Sequence, residues 1–220
     1  VLLVHARAAA EAGTIAVRNV VSLEAGARLT LIEAHVALDG ARGLQVSWKL
    51  LLERVRTFLA ETRAGEPLFL YVNYVDTHYP YHHDDLDPLL DVDPVSRAGI
   101  RSWNREQVWR TYLNAAANVD RAIEQLVGHF REAIGGAPHA IVVLSDHGQS
   151  IYEDGSLGHG RSLHARQTQT PLLVWGLGGD WPEPVGVADV RGLVLGAIDR
   201  GERGRVRFVP DAAVVSASAA

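Results

Sequence analysis

Three short strings concentrate the side chains able to hold a metal or move a proton: Asp76-Thr77-His78, Ser145-Asp146-His147-Gly148 and Gly158-His159-Gly160. The first two each follow an apolar run, so both stand where a strand is expected to end. An adjacent carboxylate and imidazole can enter one cleft only if the backbone turns sharply, and Gly148 has the freedom to make that turn. An isolated Asp-His-Gly is most simply a capped turn with an exposed histidine. His159 changes that reading, because the glycines on either side free the chain to bring a further imidazole back toward a metal or substrate. Of the ten histidines, His82, His83, His129, His139 and His164 read as solvated or turn residues. Asp plus His is a mixed oxygen and nitrogen donor set, which suits zinc or manganese ahead of calcium or magnesium.

The elements that must position these groups follow from periodicity. Leu51, Leu52, Val55, Phe58 and Leu59 recur at helical spacing between Trp48 and Ala64, with Gly65 and Pro67 just beyond. Pro67 to Val75 is a nearly continuous apolar and aromatic run, the pattern of a strand covered on both faces. A broad stripe from Trp109 and Tyr112 through Leu113, Ala116, Val119, Ile123, Leu126 and Val127 to Phe130 predicts a long helix ended by Gly135-Gly136. His139 to Ser145 and Pro171 to Trp175 read as two further buried strands, separated by a polar loop long enough to imply a function. Strands at 68–75, 140–145 and 171–175 are therefore expected in one sheet, with the 104–134 helix on a face: an α/β domain with its ligand groups at strand ends. Residues 1–46 differ in texture and predict a β-rich segment with a hairpin about Glu24-Ala25-Gly26-Ala27. The domain is drawn over 47–200, with 201–220 as a mobile tail.

Composition narrows the function classes. The 220 residues are 47% hydrophobic and 21% charged, enough to bury a core of ordinary size. A net charge of −5 offers no broad footprint for nucleic acid. No apolar run approaches the roughly 20 residues needed to cross a bilayer. Without cysteine there is no disulfide, thiolate site or cysteine nucleophile, and without methionine, even at position 1, the chain is read as a truncated piece.

Taken in order, FLYVNYVDTHYPY, YLNAAANVDRAI, IVVLSDHGQ, GHGRSLH and TPLLVWG resemble the sulfatase-like hydrolases and transferases of the alkaline phosphatase superfamily. The resemblance covers about half the chain, and its specificity lies in the ordered set, since no single string is distinctive. It implies an alkaline phosphatase-like sheet flanked by helices, here incomplete, with a divalent metal ion at the strand ends. It implies that Asp146 and His147 are metal ligands, that His78 contacts the transferred group, and that His159 binds a metal or the leaving oxygen. A bound divalent ion would polarise the ester oxygen and lower the pKa of an attacking hydroxyl.

Two departures from the family pattern stand out. Gln149 occupies a position commonly held by Glu, and no counterpart of the family's nucleophile segment precedes the Pro67 strand. Residues 1–44 instead resemble part of a scaffold subunit of the Suf iron–sulfur assembly system, which would mean a junction of unrelated fragments near residue 45. The expectation is thus a metal-dependent hydrolase or transferase of phosphate or sulfate esters, phosphate slightly favoured, inactive as this piece. The alternatives are a non-catalytic sulfatase-fold domain that binds a lipid head group or protein, and an iron–sulfur scaffold fragment. The family resemblance implies an extracytoplasmic setting, with a membrane reached only through missing upstream segments.

Overall fold

A computed structural model describes residues 47–62, 68–179, 181–202 and 204, with residues 2–6 and 207–213 described by their backbone. The expected 24–27 hairpin lies outside the described residues. Five strands form one sheet in the order β2-β1-β3-β6-β7: β1 (Leu2–Ala6), β2 (Leu70–Val72), β3 (Ile141–Ser145), β6 (Gln169–Trp175) and β7 (Arg207–Ala213). The strand β1 sits between β2 and β3, parallel to both, with Val4 opposite Val72 and Ala6 opposite Ser145. The carboxyl ends of three strands therefore share one edge of the sheet, and the Asp76 and Asp146 segments both emerge there. The strand β6 runs antiparallel to β3, and β7 antiparallel to β6. Arg207–Ala213, within the stretch expected to be a mobile tail, is thus an edge strand; Pro210 is tolerated there because the ladder shifts register between Thr170 and Leu172.

Alternation along β3 builds two cores. Ile141 and Val143 join the layer under α1 (Trp48–Glu61) and α2 (Arg105–Ile134), where Val55, Leu59, Leu126 and Phe130 are buried. Val142 and Leu144 face the other way, against Leu172, Val174 and the helix α4 (Val187–Asp199) through Val190, Val194 and Ala197. The expectation of two-sided burial holds for β3 but not for β6, where buried Thr170, Leu172 and Val174 alternate with exposed Gln169, Pro171 and Trp175. Trp175 is covered in part by the Arg131 guanidinium, 4.1 Å from its ring centre.

The buried stripe of α2 is rotated from the apolar one read off the sequence. It runs Val108, Thr111, Asn114, Ala115, Asn118, Ala122, Leu126 and Phe130, while Leu113 is exposed. Polar residues are buried because each bonds the chain that crosses the helix. Thr111 accepts from Val95 N–H at 3.1 Å, and Asn114 accepts from Leu90 N–H at 3.0 Å. Asn118 accepts from Asp87 N–H at 2.9 Å and from the Trp48 indole at 3.2 Å. These bonds pin the 84–95 segment, and with it the preceding turns that carry His78.

Candidate active site

Beyond β2 the chain makes two tight turns, in which His78 N–H donates to the Val75 carbonyl at 2.9 Å and Tyr81 N–H to the His78 carbonyl at 2.8 Å. Asp76, only 1% exposed, is committed to this architecture: its Oδ1 accepts from Trp48 N–H at the start of α1 at 3.1 Å and faces His83 Nε2 at 3.0 Å. His83 is therefore not the solvated residue expected, because Asp76 draws it inward. The His78 Nδ1 lies 2.8 Å from the Tyr79 carbonyl. A carbonyl only accepts, so Nδ1 carries the proton and Nε2 presents a lone pair.

The second segment repeats that arrangement. His147 N–H donates to Asp146 Oδ1 at 3.0 Å, and its Nδ1 lies 2.8 Å from the Gly148 carbonyl, which again leaves Nε2 as the free nitrogen. That Nε2 is buried without a hydrogen-bond partner, 3.6 Å from Asp146 Oδ1. Gly148 is needed here for space rather than for an unusual turn. A Cβ on it would fall 2.0 Å from the Arg166 carbonyl oxygen, while its own N–H donates to the Gln167 carbonyl at 2.9 Å.

The long loop after Gly148 folds back as expected, through a two-stranded ladder of β4 (Ser150–Ile151) and β5 (Leu157–Gly158) and a single turn of helix α3 (Ala165–Thr168). Gln167, nearly fully buried, holds it together. Its Nε2 donates to Ser150 Oγ and Asp154 Oδ2, both at 3.0 Å, and Oε1 accepts from Arg161 and Ser162 N–H. Asp154 also accepts from Ser156 and Ser162 hydroxyls, and these bonds hold its carboxyl well below the usual carboxylate range. The ladder delivers His159 flat onto His147, with ring centroids 3.7 Å apart and planes 20° from parallel. His78 approaches His159 edge-on, with centroids 6.2 Å apart.

Asp146, His147, His159 and His78 thus form one cluster, and His164 lies apart, its Nδ1 capping α3 by accepting from Arg166 N–H. Burial first, then its neighbours His147 and His78, push His159 down to about 4. Burial also lowers His78. At neutral pH both are uncharged imidazoles. No group of three His, Asp or Glu side chains among the described residues is arranged to hold a metal. Sequence reasoning missed Gln167 and Asp154. Their only signal was a high density of Ser, Gly and Asp in a loop that has to close on itself.

The chain is similar along part of its length to two kinds of ethanolamine-phosphate transferase. It is 30% identical over 128 residues to GPI ethanolamine phosphate transferase 1 of Neurospora crassa, covering 58% of this chain and 11% of that protein. With phosphoethanolamine transferase EptA of Escherichia coli K12 it shares 29% over 100 residues, covering 44% of this chain and 17% of that protein. The chain therefore spans a small part of these relatives' length. Among solved structures, the C-terminal periplasmic domain of EcEptC from Escherichia coli, in complex with zinc, superposes with a TM-score of 0.43 at 19% identity, over 58% of this chain and 36% of that one. The resemblance of residues 1–44 to an iron–sulfur scaffold gains no support among these matches. The family model described as Sulfatase matches residues 24–189, most of the chain and every residue of the histidine cluster, and the chain belongs to that family.

Proposed function

We propose that this chain contributes the metal-binding and proton-accepting side of a centre that cleaves or transfers phosphate esters, in an extracytoplasmic setting. The observation that carries the reading is the buried, unpartnered Nε2 of His147 beside the Asp146 carboxylate. The residues suit a divalent ion: an anionic oxygen donor stands next to an imidazole whose other nitrogen is tied to a carbonyl, the partner that orients a metal-binding histidine. Asp146 and His147 would hold the ion, with zinc or manganese favoured by the mixed donors. Such an ion supplies charge to polarise the ester oxygen. Neutral His78, with its Nδ1–H spent on Tyr79, is left to accept a proton at Nε2 from a hydroxyl. His159 keeps water from one face of His147 and borders the space before His78. The similarity to phosphoethanolamine transferases favours phosphate over sulfate and an ester with a lipid or glycolipid acceptor.

The test is calorimetric titration of the chain with zinc and with manganese, alongside Asp146→Ala and His147→Ala. One ion per chain, lost in both variants while thermal unfolding stays cooperative, is the expected result. Equal uptake by all three proteins would remove the metal site and leave a family domain that binds a partner without chemistry.

A further inference from the structure

The short 3-10 turn Ser102–Asn104 before α2 and the loop after His159 each carry one large apolar side chain almost wholly in solvent. Trp103 is 81% exposed and Leu163 80%, whereas no other exposed large hydrophobic among the described residues exceeds 46%. Each is bracketed by exposed arginines: Arg101 and Arg105 about Trp103, Arg161 and Arg166 about Leu163. None of the four forms an ion pair among the described residues. From Val95 to Val119 the single acidic residue is Glu106, and from Gly155 to Gly179 there is none, in a chain whose net charge is −5. The two segments are linked through α2: the Arg166 guanidinium rests 6.0 Å from the ring centre of Trp109, in the helix that begins at Arg105.

We propose that Arg101, Trp103, Arg105, Arg161, Leu163 and Arg166 form a surface that docks on an anionic lipid bilayer. An indole and a leucine projecting from a basic rim fit the boundary between head groups and acyl chains, where tryptophan is favoured and unpaired arginines meet lipid phosphates. The unbalanced basic charge of both segments, in a chain of net charge −5, complements an anionic surface. Docking in this pose brings the imidazole cluster to the bilayer, since His159 precedes Arg161 in the same loop. The proposal rests on surface chemistry alone and stands or falls apart from metal binding.

The experiment is co-sedimentation of the full chain with vesicles of equal parts phosphatidylglycerol and phosphatidylcholine, and with vesicles of phosphatidylcholine alone. Partition onto the anionic vesicles only is expected, weakened by added salt. Trp103→Ser with Leu163→Ser should cut partition about tenfold, and so should Arg101→Gln with Arg161→Gln. Soluble glycerophosphoglycerol in excess should fail to compete if the lipid surface is the ligand; full competition would mean that a free phosphodiester suffices and would overturn the bilayer proposal. So would absence of partition, or partition untouched by the Trp103 and Leu163 changes. Circular dichroism of each variant guards against unfolding, which these exposed positions are not expected to cause.

Discussion

The imidazole of His159 lies 3.7 Å from that of His147, centroid to centroid and close to parallel, so charge at His147 raises the cost of a proton on His159. Burial is the larger cause of the His159 depression to about 4, from an ordinary 6.5, and His147 adds to it. Nuclear magnetic resonance titration of the imidazole protons should therefore give His159 a midpoint near 4. His147→Ala should raise it only part of the way back, because desolvation remains.

The same shift fixes the direction of one pH effect on stability. Between about 6.5 and about 4 the unfolded chain binds a proton at His159 that the folded chain excludes, so this group's contribution is full above 6.5 and is lost as pH falls toward 4. Burial of His78 works in the same direction. Denaturant midpoints measured from pH 7 down to pH 4 should fall, and His159→Gln should fall less steeply over that interval. An unchanged slope would mean that His159 titrates normally.

Gln167 makes the loop's return possible, and removing it takes a buried amide donor from Ser150 and Asp154 and the shared acceptor from the Arg161 and Ser162 N–H groups. Gln167→Ala should destabilise the protein by about 2 kcal/mol, read from urea unfolding. The His159 ring resonances should shift more than those of His139, which is tied to Ala137 and packed on Phe130 at the far end of β3.

How much of this was readable in the residues depends on where the signal lay. The apolar runs at β2, β3 and β6 placed three strands of the sheet, and the histidines and Asp146 were identified as a set because strand ends and glycine-flanked imidazoles leave local marks. Asn114 and Asn118 left none: a buried amide looks like a surface amide until the loop it bonds is known, so the predicted stripe of α2 came out rotated. The Gln167 hub was unreadable for the same reason. One-sided burial of β6 was hidden because Trp175 is apolar yet exposed, with Arg131 lying over its ring. His83 was misread because its partner, Asp76, lies seven residues back and meets it only once the intervening turns have formed.

Gly148 and Gly176 illustrate two ways of needing no side chain. Gly176 has φ of 80°, and a Cβ there would lie 2.1 Å from the His139 carbonyl oxygen; Gly148 faces a comparable clash with the Arg166 carbonyl. Both obstacles are backbone, which cannot swing aside. Gly148→Ala should cost about 3 kcal/mol and part α3 from the His147 turn, lowering the melting temperature even though alanine is the smallest replacement available. Gly128, whose Cβ would meet nothing on α2, is the control, and Gly128→Ala should leave stability unchanged or raise it by up to about 1 kcal/mol.

The final prediction concerns chemistry. A hydroxyl becomes a nucleophile at neutral pH when a base takes its proton or a metal binds it, and either requires the hydroxyl at the imidazoles. Ser145, which with Thr77 is one of two hydroxyls next to the cluster along the chain, donates instead to the His147 carbonyl at 2.8 Å. No Ser or Thr hydroxyl among the described residues bonds a ring nitrogen of His78, His147 or His159. This chain by itself should therefore bind zinc or manganese yet show no turnover of aryl phosphate or aryl sulfate above the metal-ion blank. Product release is followed by absorbance from about pH 7 to about pH 9, where an imidazole of ordinary or lowered pKa is neutral. Turnover that disappears in both His147→Ala and His78→Ala would place a nucleophile within reach of the cluster and make the chain a complete catalyst. Turnover that survives both would lie outside this site.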